Sequence, residues 1–210
     1  VYVSAVAAAL HTTPAGQEYE VPTRNPYKGL RPFLEPDAPD FFGRERLVRR
    51  LLGRLADEGE GARLLALVGP SGSGKSSVVR AGLVPAVRAG AVTGSERWLI
   101  AEMTPGSNPF AELAAALLPL APALPPRHLL ETLQRDGEGL LDAVEWLLPD
   151  ESSRLVLVID QFEDVFSLAE DGTGTRFLTV LSEAAADPNG RLRIVVTLRA
   201  DLFDRPLAHS

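Results

Sequence analysis

One segment limits what this chain can fold into more than any other. The apolar run Leu64-Leu-Ala-Leu-Val68 leads into Gly69-Pro70-Ser71-Gly72-Ser73-Gly74-Lys75-Ser76-Ser77. Glycine takes positive φ at no steric cost, so Gly72 and Gly74 allow the backbone to curl and turn its N–H groups inward. The apolar run reads as a buried strand and the stretch from Lys75 as a helix, so the loop sits at a helix N-terminus with its partial positive charge. Inward N–H groups, that helix end and one ammonium together suit phosphate oxygens. The spacing G-x-x-x-x-G-K-[ST] is met at every fixed position, against roughly 0.002 chance matches expected from this composition. A merely structural glycine turn is therefore the weaker reading. Lys75 is placed to reach β- and γ-phosphates, and the Ser76 hydroxyl to ligate Mg²⁺. The candidate nucleotide-binding residues are Gly69, Pro70, Ser71, Gly72, Ser73, Gly74, Lys75, Ser76 and Ser77. Of 21 basic residues only Lys28 and Lys75 are lysine, which is consistent with a site that needs a compact ammonium rather than a planar guanidinium.

The rest of the 210 residues alternate between strand and helix patterns. Residues 11–40 hold eight prolines and glycines spaced as breakers, and read as a linker and extended lead-in rather than a packed element. Glu45 to Ala56 has Leu47, Leu51, Leu52 and Leu55 at helical spacing. Trp98–Ala101 is a candidate strand. Residues 109–148 read as helices broken at Pro119, Pro122, Pro125 and Pro126. Leu155–Ile159 is a β-branched apolar run, as expected of a central parallel strand buried on both faces. Thr175–Ala186 reads as a helix and Leu192–Leu198 as another buried strand. The expectation is an α/β fold, three layers αβα around a parallel sheet. The divisions expected are a tail or linker over 1–24, a lead-in with the first helix over 25–60, and the core over 61–210. The segment Leu202–Ser210 reads as a starting helix, and the core is expected to stop before its last strand.

Two further strand ends carry candidate chemistry. Asp160 closes the run Leu155–Ile159 and would face Mg²⁺ through water, beside the loop serine. Hydrolysis needs a group to orient or deprotonate the attacking water; Glu163 is the first candidate and Asp164 the second. The alternative is that both merely satisfy a helix N-terminus. Thr197 and Arg199 end the last strand, at the edge where open α/β sheets bind ligands. Arg199 is placed to stabilise a γ-phosphate, and Thr197 to touch phosphate or its water. The alternative for Arg199 is a pair with Asp201 or Asp204.

Composition excludes several classes. There is no cysteine, so no disulfide framework, thiol chemistry or Cys-ligated metal. Three histidines are scattered, and the net charge is −7, which disfavours a broad grip on nucleic acid. Arg46, Arg49, Arg50 and Arg54 could form a local basic face, although a solvated helix face is the plainer reading. The opening apolar stretch Val1–Leu10 is too short to span a bilayer. Of the three asparagines, Asn25, Asn108 and Asn189, none is followed by lysine, so no Asn-Lys-x-Asp guanine reader exists and ATP is expected over GTP.

Asn25-Pro-Tyr-Lys-Gly-Leu-Arg-Pro-Phe33, Phe41-Phe-Gly-Arg-Glu45, the glycine loop, Val158-Ile-Asp-Gln-Phe-Glu163 and Thr197-Leu-Arg-Ala-Asp-Leu-Phe203 follow in that order. Together they resemble the bacterial novel STAND group of signal-transduction NTPases, relatives of NB-ARC, NACHT and AAA+ ATPases. The resemblance covers about residues 25–208. It implies a cytoplasmic switch module that binds ATP and Mg²⁺, hydrolyses slowly and exchanges ATP for ADP. It further implies other domains in the same polypeptide and nucleotide-dependent self-association of the full-length protein, without membrane or nucleic-acid contacts here. By the same resemblance, Gly43 and Arg44 lie near base and ribose, and Thr197 and Arg199 match a Thr-Thr-Arg sensor whose middle position is Leu198 here. Other functions remain open on residues alone: a non-hydrolysing nucleotide-binding scaffold, a phosphotransferase, or a DNA-handling ATPase.

Overall fold

A computed structural model of the chain describes residue 29 and residues 31–57, 59, 63–121, 124–169, 172–187 and 189–202. The chain divides into two units, Val1–Leu30 and Arg31–Ser210. The expectations for residues 1–24 and for a helix beyond Leu202 lie outside the described residues, as do most of the Asn25–Phe33 motif and Phe203.

Among the described residues, four parallel strands form the sheet: β1 Leu64–Gly69, β2 Leu99–Met103, β3 Leu155–Ile159 and β4 Leu192–Arg199. They run in the order β1-β4-β3-β2. Register pairs Leu64 with Ile194 and Val68 with Leu198, and Leu155 with both Leu192 and Leu99. All five side chains of β3 are 0–1% exposed, because a middle strand of a parallel sheet is covered on both faces. β1 lies at one edge, and Leu64 and Val68 on one of its faces are exposed.

Helices close both faces. On one side lie α1 Glu45–Ala56 and the helical rod that follows β1: α2 Lys75–Ser77, a π-helical segment Val78–Leu83 and α3 Val84–Arg88. Leu51, Leu52, Leu55, Val79, Leu83 and Val87 pack there on Ile100, Val156, Val158 and Val195. The widened turn has a local cause. Pro85 offers no N–H and its ring crowds the carbonyl four residues back. Just before it, Val84 N–H reaches Val79 O, five residues back. The other face carries α4 Pro109–Leu117, α5 Pro126–Leu133, α6 Gly137–Leu147, α7 Asp164–Ser167 and α8 Thr173–Ala186. Phe110 meets Phe177 edge-on at 5.3 Å in this larger core. The three-layer α/β expectation holds.

One element departs from the sequence reading. The described part of the supposed linker is packed: Glu35–Asp40 forms a 3-10 turn, Phe33 meets Phe41 at 5.7 Å, and Glu35 pairs with Arg88 at 2.8 Å. A 3-10 turn tolerates proline in its first positions, which is why Pro36 does not break it. The break expected at Pro126 is where α5 begins, at the position where the missing N–H has no intrahelical partner to lose.

Candidate functional site

The glycine loop joins β1 to α2 at the carboxyl end of the sheet. Gly72 and Gly74 have φ of 73° and 83°, the left-handed values that the curl requires. Ser73 N donates to Pro70 O at 3.3 Å, and Val78 N to Gly74 O at 2.9 Å. The Lys75 ammonium bends back over the loop, donating to Gly69 O at 2.9 Å and Pro70 O at 3.0 Å. Ser71 is exposed.

Asp160 lies one residue past the end of β3 and is 3% exposed. Ser76 Oγ donates to its Oδ1 at 2.8 Å, across 84 residues of sequence. Thr197 Oγ1 donates to the same oxygen at 2.6 Å. That hydroxyl also accepts from Gln161 N at 3.0 Å, while Phe162 N donates to Thr197 O at 2.9 Å. Thr197, 1% exposed, thus ties the turn after β3 to β4. Gln161 adopts φ 55°, a strained value for a residue with a side chain, and this pair of bonds holds it there.

The acidic residues that follow are unlike one another. Glu163, at the start of α7, is 8% exposed, and its Oε2 finds no hydrogen-bond partner among the described residues. A buried carboxylate oxygen left bare costs desolvation energy. Asp164 is less buried. Burial pushes its carboxyl above the ordinary value, and the charges of Glu163 and Asp160 push it further.

Arg199 ends β4 with its guanidinium on Asp201, Nε to Oδ1 at 3.1 Å and Nη2 to Oδ2 at 2.7 Å. These bonds hold the Asp201 carboxyl below its ordinary range. Arg44, at the start of α1, donates to Ser73 O at 3.4 Å, and Gly43, with φ 84°, gives its N–H to Glu45 Oε1 at 2.8 Å. The structure therefore gathers the loop, Asp160, Thr197 and Arg44 around one edge of the sheet. Ser77 faces elsewhere: it is buried, and its hydroxyl accepts from Phe33 N at 3.0 Å.

Two residues at the site escaped the sequence reading. Arg80, on the π-helical segment, places Nη2 3.4 Å from Asp160 Oδ2 and Nε 3.1 Å from Glu102 Oε2. The available signals were the four-residue step from Ser76 to Arg80 along a helix and a lone carboxylate near the end of β2.

The donor set fits a phosphate-bound magnesium ion. Mg²⁺ keeps several waters and takes one or two protein oxygens plus phosphates, rather than an all-protein cage. Ser76 Oγ and Asp160 Oδ1 lie together as that mode requires, and no group of three or more metal-binding His, Asp or Glu occurs among the described residues. When bound, the ion neutralises charge on the β- and γ-oxygens.

A parallel strand that ends in a glycine loop, whose serine meets an aspartate closing another strand two places away, is the arrangement of phosphate-loop NTPases; the molecule is of that class. Within it, the profile of the Novel STAND NTPase 1 family matches residues 26–210, and the chain belongs to that family. It is thus a nucleotide-binding NTPase module. The search of curated proteins finds no match. Among solved structures, the Walker-type ATPase PABY2304 of Pyrococcus abyssi is similar in fold, with a TM-score of 0.54 at 22% identity over 83% of this chain. The chain spans about half, 49%, of the length of that protein. No helix among the described residues is long and apolar enough to cross a membrane.

Proposed function

We propose that the module binds Mg·ATP at Gly69–Ser76 and hydrolyses it slowly, as the switch of a larger bacterial signalling or defence protein in the cytoplasm. The observation that carries this reading is the 2.8 Å bond between Ser76 and Asp160, which brings the phosphate loop and the metal carboxylate to one place. Lys75 binds the β- and γ-phosphates, with the loop N–H groups around them. Ser76 and Asp160 hold Mg²⁺, Asp160 through water. Gly43 and Arg44 lie toward base and ribose. Glu163 orients the attacking water and takes its proton, and its bare Oε2 favours this role over Asp164. Arg199 exchanges Asp201 for the γ-phosphate, so ATP and ADP leave different partners around it, which is what a two-state switch needs. ATP is favoured over GTP by the absence of an Asn-Lys-x-Asp segment. Nucleotide-dependent self-association belongs to the full-length protein.

Calorimetry tests the core of the reading. Lys75→Ala, folded by circular dichroism, is expected to lose Mg·ATP binding; unchanged affinity overturns the assignment. A scaffold that binds without hydrolysing is the second reading, and single-turnover hydrolysis separates the two. Glu163→Gln is expected to slow the step by about 10²-fold or more, whereas equal rates favour the scaffold.

A further inference from the structure

A carboxylate as buried as Asp160 must be compensated. Its Oδ1 takes the hydroxyls of Ser76 and Thr197, at 2.8 and 2.6 Å. Its Oδ2 has a cation instead, Arg80 Nη2 at 3.4 Å. The same guanidinium gives Nε to Glu102 Oε2 at 3.1 Å. Glu102 stands opposite Val158 in the β2–β3 register, two residues before Asp160. The two carboxylates therefore leave neighbouring strands on the same face of the sheet. Arg80 reaches both from the widened turn of the helix that begins with the loop lysine. A single guanidinium is thus shared between the metal carboxylate and a second carboxylate that faces solvent.

We propose that Arg80 is a positioning residue that acts as a built-in counter-cation for Asp160 when no metal is bound, and that Glu102 sets how hard Arg80 competes with Mg²⁺ for that carboxylate. The inference rests on the reading of Asp160 as the metal carboxylate. Without Arg80, Asp160 and Glu102 would face each other with no cation between them. With it, the metal-free site keeps its shape, at the cost of a cation that incoming Mg²⁺ must displace or tolerate. Glu102 draws Arg80 partly away and so eases metal entry. The signs of the two substitutions therefore oppose each other: removing Arg80 favours the metal, and removing the charge of Glu102 disfavours it.

The test uses the 210-residue chain, with MgCl₂ alone and with a fluorescent ATP analogue as probes. In EDTA, Arg80→Met is expected to melt below wild type, and MgCl₂ without nucleotide to raise its Tm more than that of wild type. Its half-saturating Mg²⁺ for binding the analogue should fall by about fivefold or more, the low end of coupling between linked sites. Arg80→Lys, which keeps the charge, should restore the wild-type Mg²⁺ requirement. Glu102→Gln should raise that requirement, but should have no further effect in the Arg80→Met background. A Glu102 that acted on the metal by its own charge would raise it in both backgrounds, which overturns the proposal. An unchanged or higher Mg²⁺ requirement in Arg80→Met overturns it too, as does equal stabilisation of wild type and Arg80→Met by MgCl₂. If Arg80→Met does not fold, Glu102→Gln decides by its sign: a raised requirement supports the proposal and an unchanged or lowered one refutes it. If wild type binds no ATP analogue, the nucleotide reading falls, while melting in MgCl₂ still measures what Arg80 does.

Discussion

Thr197 shows how much one hydroxyl can fix. It donates to Asp160 and accepts from Gln161 N, so its loss takes one of two hydroxyls from a buried carboxylate oxygen and strands a backbone donor. Thr197→Val keeps the shape and removes both bonds. Denaturant unfolding is expected to show a loss of about 1–3 kcal/mol, with weaker Mg·nucleotide binding because Asp160 is no longer held. Asp150, in the loop before β3, also accepts several hydrogen bonds through one carboxylate. Its carboxylate accepts from the backbone and hydroxyl of both Ser152 and Ser153. The Ser152 hydroxyl leads these in holding the carboxyl down to about 2, from an ordinary value near 3.8. A carboxyl lowered on folding stabilises the native state above its unfolded value, and that contribution is lost as pH falls through the folded one. Carbon-detected NMR titration should place the Asp150 midpoint near 2, and Ser152→Ala should move it up toward the ordinary value.

At the scale of elements, packing of the lead-in on the phosphate-loop helix depends on Gly82. A Cβ there would lie 2.6 Å from Val48 Cγ2 and 3.1 Å from Phe41 Cε1. Gly82→Ala must push α1 or the Phe41 segment outward, an overpacking cost of about 1–3 kcal/mol. The expected outcome is a lower Tm together with weaker nucleotide binding, since Arg44 and Gly43 move with α1. The same elements show what the sequence could and could not convey. All four strands were legible, because each carries a short apolar run that needs no partner to be recognised. The loop and Asp160 were legible because their chemistry is contiguous with those strands. The packed lead-in was not, since its prolines also fit a linker, and the Phe33–Phe41 contact that distinguishes the two is tertiary. Nor was the start of α6. The prolines were the only breaks expected in 109–148, whereas the chain also turns between Leu133 and Gly137, where a Cβ on Gly139 would fall 2.1 Å from Thr132 O. Arg80 and Glu102 stayed hidden for a related reason. Their meaning lies in a contact between two elements, which neither residue shows on its own.

For the molecule as a whole, stability is distributed unevenly across the sheet. β3 is enclosed on both faces and paired on both edges. Among the described residues β1 pairs only with β4, and its outer face, at Leu64 and Val68, is open to solvent. Native-state hydrogen exchange should therefore find the amides of β3 protected to nearly the global unfolding free energy, and those of β1 exchanging through smaller openings. Equal protection of the two strands would contradict this. Bound nucleotide, anchored to the loop that ends β1, should slow β1 more than β3.

The pairing of β1 with β4 also sets an order in time. Leu64 meets Ile194, so during synthesis at about 5–20 residues per second its partner follows on the order of ten seconds later. Through that interval the apolar strand before the phosphate loop lacks the β4 ladder that it joins in the folded molecule. Contacts so distant in sequence also slow refolding. The site at the carboxyl end of the sheet, which includes Thr197 of β4, therefore cannot be completed before β4 has been made.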